Sequence, residues 1–191
     1  MHIITIKYRR LLLFFFIIII ICLGIVNLKW IGKKIYPLKY RKYIVKYSNE
    51  YDIDPLLVAS IIRVESKFDT YAQSHKGARG LMQISRQTGR WGAEQVGIED
   101  YTDDMLFEPE INIKLGCWYI SKLNEQFDNN LPIVIAAYNG GSGNVTKWLA
   151  NEKYSSDGIT LDYIPFKETD QYVDKVLKNY KIYKILYNNE M

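Results

Sequence analysis

From Leu11 to Leu28 the chain runs for 18 residues without a charged side chain. At 1.5 Å per residue a helix of that length covers about 27 Å, close to the ~30 Å hydrocarbon core of a bilayer. Trp30 stands where an interfacial aromatic would anchor such a helix. The alternative is a cleaved signal peptide, whose apolar region is usually ~7–15 residues long and ends in small residues. This run is longer and no A-x-A site follows it. Lipoprotein processing would need a small residue before Cys22, and Ile21 is there instead. The expected organisation is a short cytoplasmic N-terminus (1–10), a transmembrane anchor (11–28), a basic juxtamembrane stalk with the first helix (29–47), and a folded domain (48–187).

The formal charge of +4 conceals a split. Residues 1–42 carry nine basic side chains and no acid, so residues 43–191 carry 16 bases against all 21 acids, a net of −5. The basic segment is read either as a strip lying on anionic headgroups or as a solvated linker. A nucleic-acid-binding domain needs a basic folded face, and an acidic body removes the support for one. Two histidines, His2 and His75, exclude a histidine-cluster metal site, and two cysteines exclude a disulfide scaffold and a Cys-rich zinc module. One of those cysteines, Cys22, lies in the expected span and Cys117 in the domain, so they do not pair with each other.

The body reads as mainly α. Tyr40, Tyr43, Ile44, Tyr47 and Tyr51 recur at three and four residues, one stripe of a helix. Asp54-Pro55 is an N-cap with proline at the first helical position, and PLLVASIIRVE after it is apolar on nearly every face. Short helices are expected over Leu81–Thr88 and Arg90–Val96. Longer ones are expected from Pro109 through Phe127 and from Pro132 through Tyr138. Gly140, Gly141 and Gly143 break the latter, a short helix follows to Leu149, and 150–163 is a loop. The last helix spans about Glu168–Tyr187. No alternating strand pattern stands out, and about 150 residues suffice for one core.

Glu65 is the first candidate for chemistry. It ends a helix whose other residues are almost all apolar, so its carboxyl projects from a hydrophobic wall. Burial penalises the charged form and raises the pKa, which suits a general acid working near neutrality. Taken alone, Glu65 reads rather as a solvent-edge glutamate pairing with Arg63 or Lys67.

Its neighbourhood decides between these. Glu65-Ser66 is followed by Phe68, Ala72, Ser74 and Gly77-Ala-Arg-Gly-Leu-Met-Gln-Ile84, then by Pro109-Glu-Ile-Asn112 and Gly116. Ala137-Tyr-Asn-Gly-Gly141 comes next, and finally Ile164-Pro-Phe-Lys-Glu-Thr169 with Tyr172. This series resembles the family 1 lytic transglycosylases, the soluble-lytic-transglycosylase-like domains that cut peptidoglycan. The resemblance covers about residues 48–185. It rests on five blocks in order, none of which would be specific alone. Thr70 stands where many relatives have proline and Gln73 where small or apolar residues are common; neither touches the candidate acid.

The resemblance implies a lysozyme-like helical domain, here preceded by a single transmembrane helix, acting without a cofactor or metal on the glycan strands of peptidoglycan. It implies cleavage of the β-1,4 link between N-acetylmuramic acid and N-acetylglucosamine with a 1,6-anhydromuramoyl product. Glu65 matches the family's single catalytic acid. The membrane partner would be met through the N-terminal helix. Because peptidoglycan lies outside the cytoplasmic membrane, the catalytic domain would stand on the extracytoplasmic face of a single-pass protein.

One carboxylate can suffice for such a reaction. The acid protonates the glycosidic oxygen, and its conjugate base then takes the proton of the muramoyl C6 hydroxyl as that oxygen attacks C1. The attacker belongs to the sugar itself, so its effective concentration is high. The 2-acetamido group can stabilise the cationic centre, as in substrate-assisted glycosidases. A hydrolase would usually need a second carboxylate ~5–9.5 Å away, for which Asp69 and Glu168 are the candidates; Asp69 reads rather as a turn residue.

Around Glu65 the resemblance implies a substrate-binding set of Ser66, Ser74, Gly80, Met82, Gln83, Tyr138, Asn139, Glu168 and Tyr172. Ser66 can hydrogen-bond local backbone and orient the acid, or simply close the helix. Gly77 and Gly80 permit tight turns or positive φ. Gln83 offers both a donor and an acceptor, and Met82 either packs on a sugar face or fills the core. Tyr138 places a phenol near the acid. Glu168 and Tyr172, at i and i+4, share one helix face. His75 reads as an exposed loop side chain. Three alternatives stay open: a muramidase on the same fold, a glycan-binding or envelope-assembly module that does not cut, and a chitin-type glycosidase.

Overall fold

The computed structural model describes residues 2–188 and 190, with the side chains of residues 2–10, 22, 23, 25 and 26 outside the described set. It divides into two compact units, one ending at Leu38 and the other starting at Lys39.

The first unit is dominated by one continuous helix, α1 (His2–Ile35). Its apolar side chains from Leu11 to Ile21 are solvent-facing, as are Leu28, Trp30 and Ile31. Lys34 places its ammonium 3.7 Å from the centre of the Trp30 ring. Among the described residues, no helix is long and apolar enough to cross a membrane. The side chains at positions 22, 23, 25 and 26 of the expected span, and those of the expected short N-terminus, fall outside the described set.

The second unit is mainly α. Its helices are α2 (Arg41–Glu50), α3 (Pro55–Glu65), α4 (Arg86–Gln95), α5 (Pro109–Gln126), α6 (Leu131–Gly140), α7 (Ser142–Leu149) and α8 (Lys167–Tyr187), with a 3₁₀ turn at Asp103–Phe107 before α5. Helix α3 is the central element and packs chiefly against α8 and α2. Every residue from Leu56 to Ile62 is buried, so α3 is covered on all sides. The one polar member, Ser60, returns its hydroxyl to the carbonyl of Leu56 at 2.6 Å. Asp54 caps the start by accepting from Leu56 N–H at 2.8 Å, and Tyr180 of α8 donates to the same carboxylate. Helix α6 packs on α8, α7 and α5, and α5 on α2 and α4.

One expectation is corrected here. Residues 81–85 are not helical: Leu81–Gln83 make a turn, Ile84 is in an antiparallel bridge with Arg79, and α4 is a single helix from Arg86 to Gln95 in place of the two expected. Gly80 and Gln83 both sit at positive φ, 74° and 49°, which ends any helical run through them. Ser85 then starts α4 as its cap, accepting from Thr88 N–H at 3.0 Å.

A second tie holds this turn. Asn112 of α5, fully buried, donates to the carbonyls of Arg79 and Leu106 at 2.9 and 2.7 Å and accepts from Met82 N–H at 2.7 Å. A Cβ at Gly80 would overlap the Leu106 carbonyl and the Asn112 amide, so only glycine fits there.

Candidate active site

Helix α3 ends at Glu65 because Ser66 leaves helical geometry. Ser66 Oγ donates to the Leu81 carbonyl at 2.8 Å and accepts from Phe68 N–H at 3.1 Å. The end of α3 is thus tied to the 80–84 turn, and the Glu65 carboxyl emerges over that turn.

A groove of about 510 Å³ opens there. Glu65, Ser74, Gln83, Tyr138, Asn139 and Glu168 all line it, brought together from α3, the 73–84 loop, α6 and the first turn of α8. Burial raises the Glu65 carboxyl from its ordinary 4.5 to about 7; the Tyr172 hydrogen bond opposes this and the Glu168 charge adds to it. Tyr172 Oη donates to Glu65 Oε1 at 2.7 Å. The Tyr138 phenol is pushed well above its usual range, first by burial and then by the charge of Glu65; its hydroxyl donates to the Met82 carbonyl at 2.8 Å. A carboxyl that stays largely protonated up to near neutral pH, open to a groove and carried at the end of an apolar helix, is equipped to donate a proton.

The remaining candidates fall into two groups. Ser74 keeps its place in the groove while accepting from Ala78 N–H at 3.0 Å. Gln83 spends its amide N–H groups on the carbonyls of Ala72 and Gly80, at 2.9 and 3.0 Å, which leaves its carbonyl oxygen as the group to meet a ligand. Asn139 accepts from Thr169 Oγ1 at 2.8 Å, leaving its amide donors. In the second group, Ser66, Gly80, Met82 and Tyr172 are not groove-lining residues. The Met82 side chain is fully buried, in the space left by Gly116. Tyr172 is buried behind Glu65 rather than beside it. Asp69 accepts from Tyr71 N–H in a turn and takes no part in the groove.

His75, Lys76, Ala78, Ile84, Ser85, Thr88, Tyr119 and Gly141 also line the groove. Of these, Tyr119 stacks at 5.5 Å on Tyr138; its place in the i, i+4 row with Leu115 and Leu123 gave no sign of this. Thr169, which fixes Asn139, was legible only as a member of its motif block. Among the described residues no group of acidic, His and Cys side chains is arranged to hold a metal ion.

Residues 42–159 match the model of the transglycosylase SLT domain. The chain is 38% identical over 144 residues to the soluble lytic murein transglycosylase of Salmonella typhimurium, covering 74% of this chain and 22% of that protein. It is 31% identical to membrane-bound lytic murein transglycosylase F of Desulfosudis oleivorans, covering 83% of this chain and 40% of the relative. The crystal structure of the 70 kDa soluble lytic transglycosylase of Escherichia coli superposes with a TM-score of 0.71 at 32% identity, over 81% of this chain and 25% of that one. The fold and the groove therefore define an SLT-type, lysozyme-like domain. This chain belongs to the transglycosylase SLT domain family, and it spans between about a fifth and two fifths of the length of these relatives.

Proposed function

We propose that this protein is a membrane-anchored peptidoglycan lytic transglycosylase. It cuts the β-1,4 bond between N-acetylmuramic acid and N-acetylglucosamine and leaves 1,6-anhydromuramoyl ends. The observation that carries the reading is the state of Glu65, a groove-lining carboxyl held near 7 by burial.

Glu65 protonates the bridging oxygen as the C1–O bond breaks. The carboxylate left behind accepts the C6 hydroxyl proton while O6 bonds to C1, so the acid is regenerated within one cycle. Tyr172 stabilises that carboxylate between the two transfers through its 2.7 Å hydrogen bond. Desolvation favours its return to the neutral form as it takes the C6 hydroxyl proton. Ser74, the Gln83 carbonyl and the Asn139 amide are placed to hold acetamido and hydroxyl groups. Ser66, Gly80 and Met82 act by shaping the groove floor, and Glu168 borders the sugar from α8.

The anchor is residues 11–28. Its support is the uncharged sequence, its place within one unbroken helix and the solvent-facing apolar side chains of Leu11–Ile21. With residues 29–47 as a basic stalk and 48–187 as the catalytic domain, the enzyme would work on the extracytoplasmic face, where its substrate lies.

Glu168 gives the muramidase reading one specific footing, because it is a second carboxylate on the same groove. Mass spectrometry of sacculi digested by the protein decides. Anhydro-ended muropeptides are expected, and exclusively reducing ends would assign a hydrolase instead.

A further inference from the structure

Beside the groove lies a second recess of about 510 Å³, lined entirely by polar and charged residues: Arg79, Arg86, Arg90, Tyr101, Thr102, Asp103 and Asp104. The two hollows share their framework. In the 73–84 loop, Ala78 lines the groove and the adjacent Arg79 lines the recess. On α4, Ser85 and Thr88 line the groove, and Arg86 and Arg90 line the recess.

The recess is only partly neutralised. Three guanidiniums face two carboxylates. Arg90 holds Asp103 with two hydrogen bonds, 3.1 Å from Nε and 2.9 Å from Nη2. Arg79 Nη1 holds Asp104 at 2.6 Å. Arg86 meets Asp103 only at an ion-pair distance of 3.7 Å, with over half of its side chain exposed. Its planar fork is therefore uncommitted to any close bond with this carboxylate.

Two buried polar atoms also lack partners among the described residues: Arg79 Nε and Tyr101 Oη. Arg79 is 9% exposed and stacks 5.1 Å from the Phe107 ring centre. Both atoms are closed off from solvent, so what the recess offers an acceptor is its net positive charge and the exposed Arg86 fork.

We infer that this recess binds a carboxylate of the peptide stem that hangs from the muramoyl sugar lying in the neighbouring groove. The inference rests on the peptidoglycan reading above. A stem carboxylate is planar and matches the guanidinium fork bidentately. It is also tethered to the glycan, so its local concentration at the recess is high once a strand is seated. Arg86 is the principal contact and Arg90 the second, because their guanidiniums are the exposed ones of the recess.

Two measurements test this with the full chain in mild detergent. The first is direct binding of a free stem tetrapeptide, followed by calorimetry and independent of turnover. Binding is expected for the parent chain and a loss of at least tenfold in affinity for Arg86→Gln. Equal affinity of both chains overturns the assignment, as does binding of inorganic phosphate with no binding of the peptide. The second compares cleavage of stem-bearing strands with strands stripped of stems by an amidase. The parent should prefer stem-bearing strands, through KM, by about tenfold. Arg86→Gln, and the double variant R86Q with R90Q, should lose that preference while cutting stripped strands at the parent rate. An unchanged preference overturns the proposal. Failure of the parent to cut either kind of strand would sink the enzymatic reading, while the peptide titration would still decide the recess.

Discussion

Tyr172, near the start of the last helix, donates its phenolic hydrogen to Glu65 Oε1 at 2.7 Å, from a position 107 residues away in sequence. The bond pulls against burial. Burial alone favours the neutral acid, and the phenol favours the carboxylate, with the balance falling at about 7. A proton donor that must also serve as a base benefits from that compromise.

Removing the phenol should therefore move the pH profile in a known direction. Tyr172→Phe keeps the ring and deletes the donor. A hydrogen bond to a charged group is worth about 1.5–3 kcal/mol, so the Glu65 pKa should climb by about one to two units. The alkaline limb of the rate profile, where the acid loses its proton, should shift upward by that amount, and the maximal rate should fall several-fold. An unmoved limb would mean that the phenol does not control the acid.

Glu65→Gln should cost roughly 10²–10⁴ in rate and stabilise the fold above neutrality. The sign follows from the raised pKa. A group that titrates at about 7 folded and near 4.5 unfolded makes its full contribution below 4.5 and loses it as pH rises through 7. The shift corresponds to about 3 kcal/mol, less whatever partial exposure removes. Melting temperatures of the variant and parent should be similar at pH 4, with the variant higher at pH 8. A gap independent of pH would contradict this.

Met82→Ala should act on stability rather than on chemistry. Its side chain is fully buried, and truncation to alanine in a packed core costs about 2–5 kcal/mol. Met82→Leu, close in volume, should cost less than about 1.5 kcal/mol and leave KM for glycan unchanged. A raised KM in the leucine variant would show that the thioether reaches the sugar.

Asn112→Ala should be among the most damaging single changes outside the groove. It strands Met82 N–H and the carbonyl of Leu106, while the Arg79 carbonyl keeps only its bond from Ile84 N–H. At roughly 1–3 kcal/mol per orphaned group, a loss of at least about 2 kcal/mol in urea unfolding is expected. Thr169→Val, which frees only the Asn139 side chain, should leave stability within about 1 kcal/mol and raise KM instead.

The helices were legible where local chemistry fixes them. Asp54-Pro55 marks the start of α3, Pro109 falls at the start of α5, and the glycines after Tyr138 mark the break that lets Asn139 face the groove. The 81–88 segment was misread because its local apolar pattern resembles a helix. What prevents one is a side chain about 30 positions away, Asn112, acting on a backbone that Gly80 and Gln83 have already bent. Glu65 could be suspected from its apolar helix, but only the motif blocks around it singled it out. The division of labour between Glu168 and Tyr172 could not be read from either. Their spacing places them on one face, but only the packing of α8 against α3 decides that the phenol goes behind the acid and the carboxylate goes in front.

The peptide group of Met82 is gripped from both ends, its N–H by α5 through Asn112 and its carbonyl by α6 through Tyr138. The trough is thus bolted to two helices along its base, like a keel. On the peptidoglycan reading proposed above, accommodation of bulky or cross-linked strands would come from the rim, where the Ser74–Ala78 turn carries exposed His75 and Lys76. An inhibitor that braces that rim would jam the cleft without ever touching the acid.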